Sequence, residues 1–290
     1  MARWSLFDSS GLAKYELGPV IAHGGMSVVH RGTRIADGKG VAVKLITPEY
    51  TALAEQLDAV FQKGSEGEVA LALRHENVVR TFEYGKKGKQ YFIIMEFVDG
   101  PNLKQLIDSG DPRWLDHRYR IALDVGRGLD YIHKNNLVHR DFSPKNILLD
   151  ADNRPKIIDF GLAVPAYMKQ EWRFDRSGTA SYMAPEQVRG HKVDARTDIY
   201  AYGMTVYEIL TGRRPYPEAK TRQAKMTGHL NLEPVLPRKY DPSIPIPLEH
   251  VILRCIAKDP HSRFPKMADI LQAMVHVYVT FLNIPPPSAS

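Results

Sequence analysis

The 290-residue chain has one cysteine, Cys255. A lone thiol excludes an internal disulfide and fits a reducing compartment. Close to Ile252, Leu253 and Ile256, it reads as a buried helix residue rather than a reactive one. No stretch approaches the roughly 18 consecutive apolar residues of a membrane span. The opening Met1-Ala2-Arg3-Trp4-Ser5-Leu6-Phe7-Asp8 meets a charge before a signal-type apolar region can form. The pattern G-x-x-x-x-G-K-S/T is absent, which excludes a P-loop enzyme. There is no internal repeat, and only 284–290 (Ile-Pro-Pro-Pro-Ser-Ala-Ser) reads as a tail or linker stub. Basic charge is not concentrated either. The 39 Lys and Arg against 33 Asp and Glu give +6, spread along the chain without a long basic run or an aromatic-interleaved stripe. Nucleic acid is therefore not an expected partner. Attraction of anionic nucleotides and acidic proteins explains the balance equally well.

What is present falls into two halves. From Tyr15 to about Phe97 the chain is strand-rich. Runs such as Val28-Val29 and Val41-Ala42-Val43-Lys44-Leu45-Ile46 are parted by turns like Asp37-Gly38-Lys39-Gly40. A helix is expected over about 52–73, against the propensity of Gly64 and Gly67. After Asp99-Gly100 helical periods take over. Tyr119 to Lys134 sets Ile121, Val125, Leu129 and Ile132 on one face. Further helices are expected over Asp198 to Thr211, ended by Gly212, and over His250 to Lys258 and Met267 to Phe281.

The chemistry-bearing residues cluster in the second half. His139-Arg140-Asp141-Phe142-Ser143-Pro144-Lys145-Asn146 is followed, thirteen residues after Asn146, by Asp159-Phe160-Gly161. Together they supply what phosphoryl transfer needs: a carboxylate to take a hydroxyl proton, and an amide oxygen and second carboxylate to hold magnesium. In these residues the chain resembles the protein kinase family, with its H-R-D-x-x-x-x-N catalytic loop and D-F-G metal loop. The resemblance runs from about Tyr15 to Tyr278. It implies an α+β, two-lobed fold, with a small N-lobe of antiparallel sheet plus one helix and a larger, mainly helical C-lobe. The implied divisions are an extension 1–14, an N-lobe 15–98 that binds nucleotide, a hinge near Glu96 to Val98, a C-lobe 99–280 and a tail 281–290.

On the nucleotide side, Ile21-Ala22-His23-Gly24-Gly25-Met26-Ser27-Val28-Val29 stands where the family has G-x-G-x-x-G-x-V. Only Gly24 matches; Ala22 and Ser27 replace the outer glycines. Small residues at such a loop let backbone N–H groups approach phosphate oxygens, though a plain hairpin turn could have the same sequence. Fifteen residues beyond Val29, Val41-Ala42-Val43-Lys44 is similar to V-A-I-K, whose lysine reaches the phosphates. A lysine within an apolar strand needs a partner or ligand. Its implied partner is Glu66, which lies nine residues before His75 in Leu73-Arg74-His75-Glu76-Asn77-Val78-Val79. Glu68 is then expected to be solvated, with Ala70 and Leu73 facing the core. Tyr91 to Val98 resembles the strand entering the hinge. The resemblance implies Met95 behind the adenine, Glu96 and Val98 offering backbone groups to its edge, and Val29, Ala42 and Leu148 around the ring.

On the catalytic side, the resemblance makes Asp141 the proton acceptor and Asn146 and Asp159 the metal ligands. His139 and Phe160 become loop-aligning packers, and Arg140 the residue that pairs with a phosphorylated activation loop in regulated members. Ser143 departs from the pattern, because serine/threonine kinases usually carry lysine there. Lys145, four residues after Asp141, is the nearest replacement for that charge. Ser177-Gly178-Thr179-Ala180-Ser181-Tyr182-Met183-Ala184-Pro185-Glu186 resembles G-T-x-x-Y-M-A-P-E of serine/threonine kinases, with Thr179 hydrogen-bonding the catalytic aspartate. Ahead of Ser181 and Tyr182, the hydroxyl residues after Gly161 are Tyr167, Ser177 and Thr179. Ser177 is the expected autophosphorylation site, near Arg173 and Arg176. Glu186 with Arg263, and Asp198 with Gly203, match structural positions of the family.

The wording of Gly24-Gly25-Met26-Ser27 and Met183-Ala184-Pro185-Glu186-Gln187 is closest to bacterial members. The expectation is an ATP-dependent serine/threonine protein kinase using Mg²⁺ or Mn²⁺. It would act on protein hydroxyls in the cytoplasm, as a free soluble enzyme or an excised domain, with homodimerisation left open. Two alternatives stand beside it. A small-molecule phosphotransferase of similar fold typically has H-G-D and lacks A-P-E; a pseudokinase scaffold would have no need of the intact Lys44, Glu66, Asp141, Asn146 and Asp159.

Overall fold

The computed structural model describes residues 11–52, 55, 65–166 and 178–285. By its internal contacts the chain divides into two compact units, Met1–Asp99 and Gly100–Ser290.

The first unit is built on a five-stranded antiparallel sheet in the order β1-β2-β3-β5-β4. Its strands are β1 Tyr15–His23, β2 Ser27–Arg34, β3 Gly40–Ile46, β4 Thr81–Lys87 and β5 Gln90–Glu96. The central strand β3 is the least polar, as burial on both faces demands. One face packs Val41 and Val43 against Phe92, Ile94, Leu12 and Tyr15, with Leu17, Leu45 and Phe82 closing the cluster. The alternate residues Ala42 and Lys44 point to the opposite face. Gly38, with φ 71, supplies the left-handed residue in the turn between β2 and β3.

The helix expected over 52–73 is not continuous: residues 48–52 and 55 are helical, but Ser65 is extended (φ −69, ψ 157), and helix α1, Glu66–Ala72, starts afresh after it. It starts at Ser65, whose Oγ accepts from the Glu68 N–H at 3.2 Å, while Glu68 Oε2 accepts from the Ser65 N–H at 2.7 Å. This reciprocal capping box satisfies two N-terminal donors. Ala70 and Leu73 are buried, as the helical spacing requires. Gly67 is needed for space, because a Cβ there would lie 2.5 Å from the Tyr84 side chain on β4.

The second unit is mainly helical. Its helices are α2 Leu103–Ser109, α3 Pro112–Lys134, α4 Pro185–Arg189, α5 Ala195–Thr211, α6 Arg222–Asn231, α7 Ile246–Cys255 and α8 Met267–Leu282. Short strands β6 Leu137–Val138 and β9 Val164–Pro165 form one ladder, and β7 Ile147–Leu149 and β8 Pro155–Ile157 another. Helix α3 begins seven residues before the expected Tyr119. Asp111 caps it through the Arg113 N–H, and Pro112 occupies its first turn, where no donor is lost. Ile121, Val125, Leu129 and Ile132 are fully buried along its inner face. Helix α5 is buried from Thr197 to Leu210 and ends at Gly212, φ 68. A Cβ on its Gly203 would meet Cys255 Cβ at 2.5 Å, so glycine is what lets α5 and α7 approach. Helix α7 runs four residues earlier than expected at its start, because Pro245-Ile246-Pro247 forms its first turn. Burial pushes the Cys255 thiol up to about 12 and leaves it inert. Among the described residues no helix is long and apolar enough to cross a membrane.

Candidate active site

In the first unit, the register places one set of expected nucleotide residues on a single sheet face. Ala22 pairs with Val29, and Val29 with Lys44. Ala42 pairs with Met95, and Lys44 with Ile93. Partners in an antiparallel ladder project to the same side. Ala22, Val29, Ala42, Lys44 and Met95 therefore share the face opposite the apolar cluster. Lys44 is only 7% exposed and its Nζ donates to Glu66 Oε1 at 2.5 Å. This ion pair offsets the cost of placing an ammonium in the sheet. Glu68 is exposed, as expected, and its carboxylate also closes the capping box and accepts from the Tyr84 hydroxyl at 3.2 Å.

Gly24 and Gly25 form the tip between β1 and β2, where the Gly24 N–H donates to the Ser27 carbonyl at 2.8 Å. Neither glycine has positive φ. A Cβ at Gly25 would meet nothing within 4 Å, and one at Gly24 would lie 3.3 Å from Ser27 Oγ. Turn geometry alone gives no reason for Gly25. Ile21 is exposed at the end of β1, and Ser27 is buried at the start of β2. At the far end of β5, the Glu96 N–H donates to the Arg80 carbonyl at 2.8 Å, and its carboxylate accepts from the Arg80 N–H at 2.9 Å. Val98 follows, half-buried.

In the second unit, the catalytic-loop residues are fixed mostly through backbone groups. The buried Asp198 carboxylate on α5 accepts from the His139 N–H at 2.7 Å and the Arg140 N–H at 2.8 Å. It is also 2.9 Å from His133 Nε2 on α3. Arg140 has φ 68, and Gln187 Nε2 donates to its carbonyl at 3.0 Å. His139 is fully buried; its Nδ1 accepts from the Asp141 N–H at 3.3 Å, and its ring stacks 5.4 Å from Phe160.

The Asp141 side chain is gripped from two directions. Oδ1 accepts from the Thr179 N–H at 2.6 Å and Oδ2 from Asn146 Nδ2 at 3.1 Å. Asn146 Nδ2 also donates to the Asp141 carbonyl at 2.8 Å, which leaves Oδ1 of the amide as its ligand-capable atom. Thr179 thus touches Asp141 through its backbone. Gly178 comes just before it with φ 111, a conformation that favours glycine. Asp159 has φ 69, and its Oδ1 accepts from the Gly161 N–H at 3.2 Å. Lys145 is exposed on the short turn Pro144–Asn146, while Ser143 beside it is fully buried. Leu148 is half-buried on β7 and bridges to Asn102. Tyr167, Arg173, Arg176 and Ser177 lie outside the described residues. Among the described residues no group of three or more His, Cys, Asp or Glu could hold a metal alone. A magnesium held by one amide oxygen, one carboxylate and nucleotide phosphates needs no such group.

Further support lies beneath the segment 178–186. Arg263 Nη1 and Nη2 donate to the two Glu186 oxygens at 2.7 and 2.8 Å, a buried bidentate pair. The Thr197 hydroxyl donates to Glu186 as well, at 2.9 Å. Gln187, to which sequence reasoning gave no role, also accepts from the Ala184 N–H at 3.1 Å. Its signal was legible as a Gln in the third position of a helix that begins with proline.

With this geometry established, the comparison with known proteins is decisive. The protein kinase domain family matches residues 15–279. The chain belongs to the protein kinase family. A probable serine/threonine-protein kinase of Clostridium acetobutylicum is 33% identical, over 93% of this chain and 41% of its own length. The serine/threonine-protein kinase PknB of Mycobacterium tuberculosis is 31% identical, over 95% of this chain and 44% of its own. A probable serine/threonine-protein kinase of Streptomyces coelicolor is 33% identical, over 87% and 38%. This kinase domain spans less than half the length of these curated relatives.

Proposed function

We propose that this kinase domain transfers the γ-phosphoryl group of ATP to serine or threonine hydroxyls of proteins, itself included, with Mg²⁺ or Mn²⁺ as the metal. The observation that carries the reading is the doubly held Asp141 carboxylate, positioned by the Thr179 N–H and the Asn146 amide. In that role Asp141 takes the proton of the attacking hydroxyl. Asn146 and Asp159 hold the metal, which neutralises charge on the phosphates. Lys44, oriented by Glu66, binds phosphate oxygens. The tip Ile21, Ala22, Gly24, Gly25 and Ser27 covers them; the absence of any conformational need for Gly25 supports a role in close phosphate approach. Val29, Ala42, Met95 and Val98 in the first unit, and Leu148 in the second, are the residues assigned to the adenine. At Glu96 the N–H is committed to Arg80, so its carbonyl is the group for the adenine edge. Lys145 supplies the cation that Ser143 lacks, and Arg140 receives a phosphate placed on Ser177. The need for ATP puts the reaction in the cytoplasm.

The H-R-D wording and the Ala184-Pro185-Glu186 segment locked by Arg263 weigh against a small-molecule phosphotransferase. The intact set Lys44, Glu66, Asp141, Asn146 and Asp159 weighs against a pseudokinase. Incubation with labelled ATP and Mg²⁺, followed by phosphosite mapping on the chain and on a generic protein substrate, tests the reading. No label on either, with ATP bound, would sink it.

A further inference from the structure

The second unit also holds a connected set of polar side chains that the phosphotransfer chemistry does not use. His229 on α6 is 2% exposed, and Tyr200 on α5 is fully buried beside it. The Tyr200 hydroxyl lies 2.8 Å from His229 Nδ1 and 3.3 Å from the Tyr216 hydroxyl. Lys258, just beyond α7, donates from Nζ to the Tyr216 hydroxyl at 2.8 Å and to the His229 carbonyl at 2.9 Å. The rings pack as well. His229 meets Tyr200 and Tyr216 edge-on, with centroids 5.7 and 5.2 Å apart, and the Lys258 ammonium sits 4.2 Å over the Tyr216 ring.

Donor counting gives this chain a direction. An ammonium can only donate, so the Tyr216 oxygen accepts from Lys258. Each tyrosine has one hydroxyl proton. If Tyr216 gives its proton to Tyr200, Tyr200 gives its own to His229 Nδ1 and every proton is used. The opposite direction leaves the Tyr216 proton without an acceptor among the described residues. The imidazole is neutral, because burial, then the Lys258 charge, hold it down to about 4. With Nδ1 accepting, its one proton is on Nε2. That proton is left for the backbone of Ala180 and Ser181, whose hydrogen bonds to the ring pull its pKa upward, as acceptors do.

The backbone held in this way belongs to the segment 178–186. Thr179, one residue before Ala180, gives its N–H to Asp141 Oδ1 at 2.6 Å. Ala180 also packs with Met183, Val188 and Met226 of α6. One imidazole therefore ties α6 to the peptide run that fixes the Asp141 carboxylate.

We propose that His229 is a positioning residue for the acceptor site: its ring N–H holds the Ala180-Ser181 backbone, and the chain Lys258–Tyr216–Tyr200 fixes the ring in the tautomer that can do so. The inference rests on the kinase reading above and adds to it a residue that acts on Asp141 through Thr179. Tyr200→Phe deletes a single oxygen, yet it frees Nδ1 to take the proton, and Nε2 then has nothing to donate.

Two measurements test this role. In the ¹⁵N-histidine NMR spectrum at pH 7, the signal that disappears in His229→Gln should report a neutral Nε2–H ring in the parent and a shift toward Nδ1–H in Tyr200→Phe. Steady-state kinetics with a serine peptide, run well below the Tm of each variant, give the second. The amide of His229→Asn replaces Nδ1 but not Nε2. It should lower kcat/KM for the peptide about five- to tenfold, the scale of one buried hydrogen bond, with KM for ATP within twofold. His229→Gln reaches toward the Nε2 position and should recover part of the loss. Tyr200→Phe should also raise KM for the peptide, and combined with His229→Asn it should cost little more, since linked groups are not additive. If His229→Asn does not fold, Tyr200→Phe carries the kinetic test. A charged or Nδ1-protonated His229 in the parent would overturn the proposal. So would variants whose peptide and ATP constants stay within twofold, or whose activity falls only in step with the folded fraction. These results leave the kinase reading standing. No transfer by the parent to peptide or to itself would overturn both.

Discussion

Asp198→Asn isolates how much of the catalytic geometry depends on one buried carboxylate. Oδ2 faces two donors, the His139 N–H at 2.7 Å and His133 Nε2 at 2.9 Å, and Oδ1 faces the Arg140 N–H at 2.8 Å. An asparagine amide has one oxygen. Turned toward Oδ2, it brings its NH₂ against the Arg140 N–H; turned the other way, it leaves two donors facing NH₂. At least one buried donor stays unsatisfied in either orientation, at about 1–3 kcal/mol. The remaining bonds also lose their ionic acceptor. The combined cost is of order 2–4 kcal/mol, and Arg140, already at φ 68, gains freedom to leave its left-handed conformation.

For a unit of this size each kcal/mol corresponds to roughly 2–4 °C in Tm. Asp198→Asn should therefore melt about 5–15 °C lower by differential scanning fluorimetry. Turnover should fall further than folding alone explains, because a misplacement near 1 Å at a catalytic group can cost about a hundredfold. Assayed well below the new Tm, kcat should drop by at least tenfold while nucleotide affinity changes little, since no residue of the first unit is touched. A variant with Tm within 1 °C and kcat within twofold of the parent would show that the loop holds its shape without Asp198.

Three further outcomes are expected. Asp141→Asn should lose at least about a hundredfold in kcat, the scale of a general base, with ATP binding retained in a fluorescent nucleotide titration. Lys145→Ala should lower kcat more than ATP affinity, because the charge it meets grows in the transition state; unchanged kcat would remove Lys145 from the mechanism. His229 bears on pH: burial, then the nearby Lys258 charge, hold its imidazole down to about 4 from an ordinary 6.5. Stability from this group is whole above pH 6.5 and is lost as pH falls toward 4, where only the unfolded chain takes up the proton, about 3 kcal/mol in all. Urea melts at pH 7, 5.5 and 4.5 should show a smaller pH loss in His229→Gln than in the parent.

The parts of the site legible in the sequence were those whose chemistry depends on residue type at fixed spacing. Lys44 with Glu66 and Asp141 with Asn146 required no knowledge of packing, and the structure brings each pair into contact. Element boundaries were less legible, for local reasons. The pairs Asp111-Pro112 and Asp194-Ala195 start helices earlier than the apolar period suggests, because a cap and first turn are polar. Helix α2 was not foreseen: its seven residues are too few for a periodic signal, although Asn102 with Gln105 forms a capping box and Gly110 ends it at φ 67. Glu68 is exposed, as expected, but its capping box with Ser65 was not foreseen. What could not be read at all was which backbone groups meet a buried side chain. Nothing in the spacing of Asp198 or Gln187 says that they close on the backbone of Arg140, 58 and 47 residues upstream.

That last point explains why the departures from the family pattern fall where they do. The stretch from His139 to Asn146 is held by Asp198 and Gln187 through peptide N–H and C=O groups, which every residue type supplies. A loop fixed in this way keeps its course when one of its side chains changes, so Ser143 can stand where lysine is usual. Ala22 follows the same logic in the first unit. It pairs with Val29 as an ordinary strand residue, and the turn beyond it is closed by the Gly24 and Ser27 backbones. Substitution was tolerable at positions framed by backbone, and was not available at Lys44, Asp141 or Asn146, whose own side-chain atoms make the contacts.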